Sequence, residues 1–215
     1  MKTALRHAVQ LVASIFVLAT AIVRADPASD LRHLQQRWAE VNYQLEGKTQ
    51  LSAFEQLADD ADRAVAASAN NAELLIWRGI IRSTWAGARG GLGALGLVKD
   101  AKADFETALQ LDAQALQGSA YTSLGSLYYQ VPGWPIGFGN DARAEELLKK
   151  ALDVNPDGID SNYFYGCYLI DAERYPEARE YLLKAQNAAP RPGRALADSG
   201  RQDEIAAALA SIAGK

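Results

Sequence analysis

Cysteine and histidine are scarce in this sequence, and basic residues do not outnumber acidic ones. The 215 residues include one cysteine, two histidines, 22 lysines and arginines, and 26 aspartates and glutamates. A single cysteine excludes an intrachain disulfide framework and a zinc site built from several cysteines. A formal net charge of −4 argues against binding to nucleic acid, which requires a basic surface.

The signatures of common enzyme active sites are also missing. The sequence has no G-x-S-x-G elbow, no P-loop and no H-E-x-x-H pair. Glycines 91, 93 and 96 match the dinucleotide fingerprint formally, but that fingerprint needs a preceding strand and the segment before it has a helical pattern. Asp59, Asp60 and Asp62 are close together on a predicted helix, where a solvated face is the simpler interpretation. We therefore expect a non-enzymatic protein with no catalytic residues, no metal site and no cofactor.

The first 25 residues have the pattern of a secretory signal. Lys2 and Arg6 precede an apolar stretch over residues 8–23, and Val23 and Ala25 occupy the two positions that signal peptidase inspects. We predict cleavage after Ala25 and export to the periplasm. An uncleaved membrane anchor is the alternative, although the apolar run falls short of the ~20 residues that a span needs.

The remainder of the chain has a helical pattern. Apolar residues recur at spacings of three and four, and no run of alternating β-branched residues indicates a strand. Turn and cap signals divide the chain into ordinary helix lengths. Ser52 with Glu55 predicts a capping box, one helix is expected to end near Trp85, and Asp100 is expected to precede the next.

Two helix pairs share an internal spacing that resembles the tetratricopeptide repeat, whose unit is ~34 residues. Small residues at the crossing points would let the two helices of a pair approach closely, and a looser match begins at Gly79. The repeat positions are Gly125, Ala144, Ala151, Pro156, Gly166, Ala178, Ala185 and Pro190. The spacing predicts an all-α, tetratricopeptide-like helix-pair solenoid with a C-terminal capping helix; a generic helical bundle is the alternative.

Four segments follow from this pattern. Residues 1–25 form the signal peptide, and residues 26–70 form an N-terminal helical pair that is a degenerate repeat. Residues 71–190 contain the tetratricopeptide-like repeats with two insertions, at 85–99 and 131–140. Residues 191–215 form a linker and the capping helix.

The candidate binding residues come from two places. In the second insertion, Trp134 and Phe138 are apolar for an exposed loop, so the loop either packs on the solenoid or contacts a partner. The first helix of each tetratricopeptide pair lines a concave groove. This register directs toward the groove Trp77, Ile80, Thr122, Ser126, Tyr129, Tyr163, Phe164 and Cys167.

The groove residues could equally belong to the core between repeats, and Cys167 is expected to be a small buried hydrophobe rather than a reactive thiol. The arginines of the 191–194 run, with Arg201, could contact an anionic group. A connector to the capping helix is the simpler interpretation of that run.

The chain resembles the T-component proteins of tripartite ATP-independent periplasmic (TRAP) transporters. The resemblance is carried by the glycine-rich 85–99 insert, YTSLGSLYYQVPGWPIGFGN (121–140), GIDSNYFYG (158–166), APRPGR (189–194) and DSGRQDEI (198–205). It implies a periplasmic helical scaffold that oligomerises around a pore, docks a substrate-binding protein and conveys hydrophobic ligands. This sequence lacks the acylated cysteine that follows the signal in lipid-anchored members.

We therefore expect a periplasmic binding or scaffold protein that is accessory to a TRAP-type solute transporter. Its partner would be a periplasmic solute-binding protein or an apolar small ligand, with no nucleic acid involved. The alternative is a tetratricopeptide assembly factor for cell-envelope complexes.

Overall fold

The computed structural model describes residues 26–215, and helices account for nearly all of the regular structure in that range. The helices are α1 (Pro27–Gln44), α2 (Gly47–Ala67), α3 (Ala72–Arg89), α4 (Leu95–Leu111), α5 (Ala115–Gln130), α6 (Asp141–Val154), α7 (Ile159–Asp171), α8 (Tyr175–Gln186) and α9 (Ala195–Ser211), with a short 3-10 turn at Leu92–Ala94. The predicted signal peptide lies outside the described residues. Among the described helices, none is both long enough and apolar enough to cross a membrane.

Side-chain caps fix several of the helix starts. The carboxamide oxygen of Asn71 accepts from the backbone N–H of Leu74 at 3.0 Å, and that of Asn140 accepts from the N–H of Arg143 at 2.9 Å. These bonds satisfy N–H groups that the first turn of a helix leaves without partners. Asn71 and Asn140 therefore fix where α3 and α6 begin.

Three predicted boundaries are wrong. Helix α2 begins at Gly47, so Ser52 and Glu55 lie inside the helix and form no capping box. Helix α3 continues to Arg89 and α4 begins at Leu95, so most of the 85–99 insert lengthens two helices. The alanine and leucine content of the insert favours helix. Gly90 and Gly91, with φ of 64° and 66°, end α3 and separate it from α4.

The helices form pairs, and the pairs wind around a common centre. Helices α3 and α4, α5 and α6, and α7 and α8 pack against each other, while α1, α3, α5 and α7 contact one another in succession. The predicted all-α helix-pair solenoid with a capping helix is confirmed. Helix α9 packs on α7 and α8 and also reaches α1. Helices α1, α3, α5, α7 and α9 thus form a closed circuit, which we call the inner ring.

The contact between α9 and α1 closes the inner ring. Gly200 of α9 lies against the ring of Tyr43, and a Cβ atom at residue 200 would collide with that ring. Leu196 and Ala197 pack into the apolar core built by α1, α2 and α3. Because residues distant in sequence share this core, α9 holds both ends of the curved array together.

The glycines of the repeat lie where paired helices approach most closely. A Cβ on Gly125 would lie 2.8 Å from Cγ of Leu148, and one on Gly166 would lie 2.8 Å from Cγ of Leu182. The alanines at the other repeat positions are fully buried, whereas the two prolines lie in exposed turns. These positions are Ala144, Ala151, Ala178, Ala185, Pro156 and Pro190. Side chains larger than glycine or alanine at the buried positions would push the paired helices apart.

An ion-pair network ties α2, α3 and α4 together. The carboxylate of Asp104, which is only 4% exposed, accepts from Arg78 Nε at 3.0 Å and from Arg82 Nη1 at 2.9 Å. Arg82 Nη2 also donates to Asp62 at 2.6 Å. Asp62 therefore belongs to this network rather than to a purely solvated face. The two arginines that contact it, Arg78 and Arg82, lie on the neighbouring helix α3, and the sequence pattern does not predict that contact.

A second ion-pair cluster, formed by Glu145 with Lys149 and Arg174, should make the stability of the fold fall at acid pH. Hydrogen bonds from Lys149 and Arg174 lower the pKa of Glu145 to about 2, and Arg174 joins α6 to the start of α8 through a 2.8 Å contact. A carboxyl with a depressed folded-state pKa stabilises the fold above its unfolded pKa, and this stabilisation is lost as the pH falls toward the folded value.

We expect Glu145→Gln to lower the melting temperature most above pH 4.5 and hardly at all near pH 2, where the wild-type stabilisation is already lost, so the variant should have a flatter profile of melting temperature against pH. Because Glu145 is 26% exposed, solvent screening limits the effect at neutral pH to about 1–2 kcal/mol. Circular dichroism melts from pH 2 to pH 7 measure it. The exposed Glu55, which has no ion pair among residues 26–215, provides the control Glu55→Gln; equal profiles for both variants would contradict the prediction.

Candidate functional site

The inner ring encloses a cavity of about 920 Å³. Residues of all five inner helices line it, together with the turn at 155–158 and the connection at 189–194. We call it the central cavity. Its size is in the range of small-molecule sites in proteins, which span about 300–1,000 Å³.

The wall of the central cavity combines apolar and hydrogen-bonding side chains. Trp38, Trp77, Ile80, Leu116 and Phe164 are among its large apolar side chains. Hydroxyl and carboxamide groups are contributed by Gln35, Asn42, Gln50, Ser83, Thr84, Gln117, Ser119, Thr122, Ser123, Ser126, Gln130, Asn155 and Ser161. Such a mixture suits a ligand with both apolar and polar parts better than a purely apolar one.

The start of α5 has an unusual backbone where it borders the cavity. Leu116 and Gln117 have φ of 48° and 56°, and Gly118 follows with φ of 75°. A left-handed conformation costs a residue with a Cβ about 1–2 kcal/mol, and such strained residues cluster at ligand sites. Gln117 is held by another residue of the wall, because its carboxamide oxygen accepts from Asn155 Nδ2 at 3.0 Å.

A charged cluster forms one part of the wall. Asp160, in the first turn of α7, accepts from Arg201 Nε at 2.8 Å and pairs with Arg191, which also donates to Asp198 at 2.7 Å. Burial alone would raise the pKa of Asp160, but the guanidinium groups of Arg201 and Arg191 lower it below its usual value. The 191–194 run is therefore more than a connector.

The structure separates the four candidate residues of the repeat helices into three groups. Trp77 and Phe164 line the central cavity. Tyr163 lies beside it, under the guanidinium of Arg201, which is 4.4 Å from the Tyr163 ring centroid and 4.7 Å from that of Phe164. Tyr129 does not line the cavity, since its ring packs edge-on against another tyrosine of the core.

Other groove residues divide in the same way. Ile80, Thr122 and Ser126 line the central cavity, and Cys167 does not. Burial raises the pKa of the Cys167 thiol to about 11, so the protonated, unreactive form predominates at neutral pH. One face of each inner helix therefore points inward, while its neighbouring face packs between helices.

In the insertion at 131–140, one aromatic side chain is exposed to solvent and the other packs against the helices. Phe138 packs edge-on against Tyr128 with ring centroids 5.5 Å apart. Trp134 is 90% exposed and Ile136 is 57% exposed. Gly139 donates to the carbonyl of Pro132 at 3.0 Å, which fixes the loop. A rigid loop with an exposed indole is suited to contact with another protein.

The charged residues of the cavity were the part that the sequence pattern least predicted. Arg191, Arg194 and Arg201 come from a segment that follows the last repeat, and Asp160 from the start of an inner helix. Their proximity depends on the return of α9 to the ring. The only signal in the sequence was the pair of arginines around Pro192 and Gly193, which suggested an anionic contact as an alternative.

Among residues 26–215, no group of three or more histidines, cysteines, aspartates or glutamates is arranged to hold a metal ion. His33 lies on the outside of α1, with its Nε2 atom 3.4 Å from Asp60.

Comparison with known proteins finds low similarity. No protein-family model and no curated protein matches the chain. Among solved structures, one crystal structure of MamA is 20% identical, covers 77% of this chain and 90% of its own, and superposes with a TM-score of 0.45. A second MamA structure is 19% identical, with coverages of 84% and 90% and a TM-score of 0.44. The description of the fold therefore depends on the helices and contacts given above.

Proposed function

We propose that this protein is a non-enzymatic binding protein, exported to the periplasm, that assists a TRAP-type solute transporter. In this proposal it holds a small ligand in the central cavity and docks a solute-binding protein. The observation that carries the proposal is the cavity enclosed by the inner ring. Four segments that carry the resemblance to T-component proteins (121–140, 158–166, 189–194 and 198–205) contribute residues to its lining.

The chemistry of the lining supports binding rather than catalysis. Asp160 is engaged by two arginines, and its lowered pKa keeps it ionised at neutral pH. A general base works best with a pKa near the operating pH, and a general acid must carry a proton to give. The thiol of Cys167 lies outside the lining and its pKa is raised.

The exposed loop is the surface that we assign to the protein partner. Trp134 and Ile136 are large apolar groups held at the tip of a fixed loop. Interface energy is concentrated in a few residues, and tryptophan is prominent among them. Docking through this loop leaves the central cavity free for a ligand.

We expect Trp134→Ala to weaken capture of a solute-binding protein by about tenfold or more, as removal of a central interface residue typically does. The measurement is affinity capture from a periplasmic extract on immobilised protein, with the captured proteins identified and quantified by mass spectrometry. Folding should be unaffected, because the indole makes little contact with the rest of the chain.

Leu183→Ala is the matched control, since Leu183 is also a large exposed apolar residue but lies on α8. Equal capture by wild type and Trp134→Ala would contradict the docking role. Enrichment of secretion or cell-wall assembly proteins without any solute-binding protein would instead favour an assembly factor for cell-envelope complexes.

Export is tested separately. The protein recovered from the periplasmic fraction should begin at Asp26, as determined by intact mass or N-terminal sequencing. A protein that begins at residue 1 and remains with the membrane would support the uncleaved anchor.

A further inference from the structure

We propose that the central cavity binds a small organic carboxylate and that Arg194 is the residue that pairs with its negative charge. This inference rests on the proposed role of the cavity as a ligand site. It adds the chemical class of the ligand and the residue that recognises it.

Arg194 differs from the other partly buried arginines in the described part of the chain. Every other arginine in residues 26–215 that is not exposed has a carboxylate within 4.0 Å. These are Arg37, Arg78, Arg82, Arg174, Arg191 and Arg201. Arg194 lines the central cavity and has neither an ion pair nor a side-chain hydrogen bond to any residue in that range.

A partly buried cation without a paired carboxylate is unfavourable, because burial removes part of its hydration and no ion pair compensates for the loss. Burial and the neighbouring Arg191 guanidinium lower the pKa of Arg194 to about 10. Arg194 is nevertheless charged at neutral pH. A bound anion would supply the missing counter-charge.

Two buried donors beside each other also have no acceptor. Nε of Arg194 and Nε1 of Trp77 are enclosed and make no hydrogen bond within the described chain. The guanidinium of Arg194 lies over the Trp77 ring, 4.8 Å from its centroid, and Trp77 is only 3% exposed. Unsatisfied buried donors are uncommon in folded proteins. Here both belong to residues that line the same cavity.

The terminal nitrogens of Arg194 remain available to a ligand. Unlike Nε, they are not among the enclosed atoms that lack a partner. A guanidinium presents its nitrogens as a planar fork that matches the two oxygens of a carboxylate. The contact with the Trp77 ring restrains the position of that fork.

Two helix N-termini face the same cavity. Helix α7 begins after Gly158 and α9 begins after Arg194, and neither has a side-chain cap at that end. Helix N-termini carry partial positive charge. Asp160 and Asp198 lie in these first turns and also place negative charge near Arg194, but both are paired with Arg191.

The other carboxylates of the wall do not compete for Arg194. Asp160 is held by Arg191 and Arg201. Asp157 lies in the exposed turn before α7. The cluster contains as many carboxylates as arginines (Asp160, Asp198 and Glu204 against Arg191, Arg194 and Arg201). Because it has no large excess of positive charge, it favours a singly charged carboxylate over a phosphate dianion. The hydroxyl and carboxamide groups of the wall provide hydrogen bonds for the body of the ligand.

The test compares acids with their neutral amides. We would use phenylacetate, 4-hydroxyphenylacetate and gluconate, each beside its amide, and titrate them into the full mature chain by calorimetry and by thermal shift. At least one acid should bind about 10–100-fold more tightly than its amide, as expected for a hydrogen-bonded charge. Binding should raise the melting temperature.

Arg194→Gln should abolish the difference between acid and amide while leaving the melting temperature of the free protein equal or higher. That second readout separates recognition from a structural role, because loss of a structural ion pair would lower the melting temperature. Arg179→Gln is the matched control. Arg179 is an exposed arginine on α8, outside the cavity, with no ion pair in the described range.

Equal binding of every acid and its amide would overturn the carboxylate inference and leave the cavity as a ligand site. An acid preference that persists in Arg194→Gln would overturn the role of that residue. No binding by any of the six compounds would overturn both the inference and the ligand role of the cavity. Capture of the solute-binding protein through Trp134 is measured in a separate experiment. If that capture fails, the acid titrations still test the carboxylate inference.

Discussion

Asp104→Ala is expected to lower the free energy of unfolding by about 3–5 kcal/mol, the usual loss when one partner of a buried ion pair is removed. Arg78 and Arg82 would remain enclosed with only Asp62 to balance them. Urea denaturation followed by circular dichroism gives the change. Asp100→Ala on the same helix is the control, because Asp100 is exposed and has no ion pair among the described residues.

For the same network we expect a triple substitution to have a much smaller effect on stability than Asp104→Ala alone. Replacement of Arg78, Arg82 and Asp104 together by apolar residues of similar size should recover most of the lost stability, because no unpaired charge stays buried. A loss below about 1 kcal/mol for Asp104→Ala would show that water replaces the carboxylate and would contradict the described burial.

Gly125→Ala is expected to destabilise the protein by about 1–3 kcal/mol, the typical cost of inserting a methyl group into a packed interface. The new Cβ would lie 2.8 Å from Cγ of Leu148 and 3.2 Å from the backbone nitrogen of the same residue. A side chain can rotate away, but the backbone of α6 cannot. The two helices of this pair must therefore separate.

Gly87→Ala provides the comparison for Gly125→Ala. Gly87 also lies inside a helix, but a Cβ there would meet nothing within 4 Å. Alanine should stabilise that helix by about 0.5–1 kcal/mol, because glycine loses more backbone entropy on folding. Thermal and urea unfolding of both variants tests the pair. Destabilisation by both would mean that helix geometry, rather than the crossing of α5 and α6, explains the effect.

The helical class and the pairing of helices were predictable because they depend on local spacing. The recurrence of Gly125 and Gly166 at the same point of successive pairs reports close crossing within each pair, and this is a short-range property of the chain. Inward-facing residues such as Trp77, Ile80 and Phe164 were predictable for the same reason, since the helical period fixes which residues share a face.

Features that depend on contact between distant segments were not predictable in this way. The tetratricopeptide register places Tyr129 in the groove, but the ring of Tyr168 covers it. The charged wall depends on Arg194 and Arg201 meeting residues of α3 and α7. Nothing in the local pattern specifies that meeting, because it follows from the curvature of the whole array.

The return of α9 to α1 has a consequence for how such proteins can diversify. An open superhelix can be lengthened by duplication of a helix pair, because each pair contacts only its neighbours. Here the circumference is set by five members that touch first to last. Duplication of one unit would either break the circle or widen the chamber, so the number of units dictates how large a guest molecule can be.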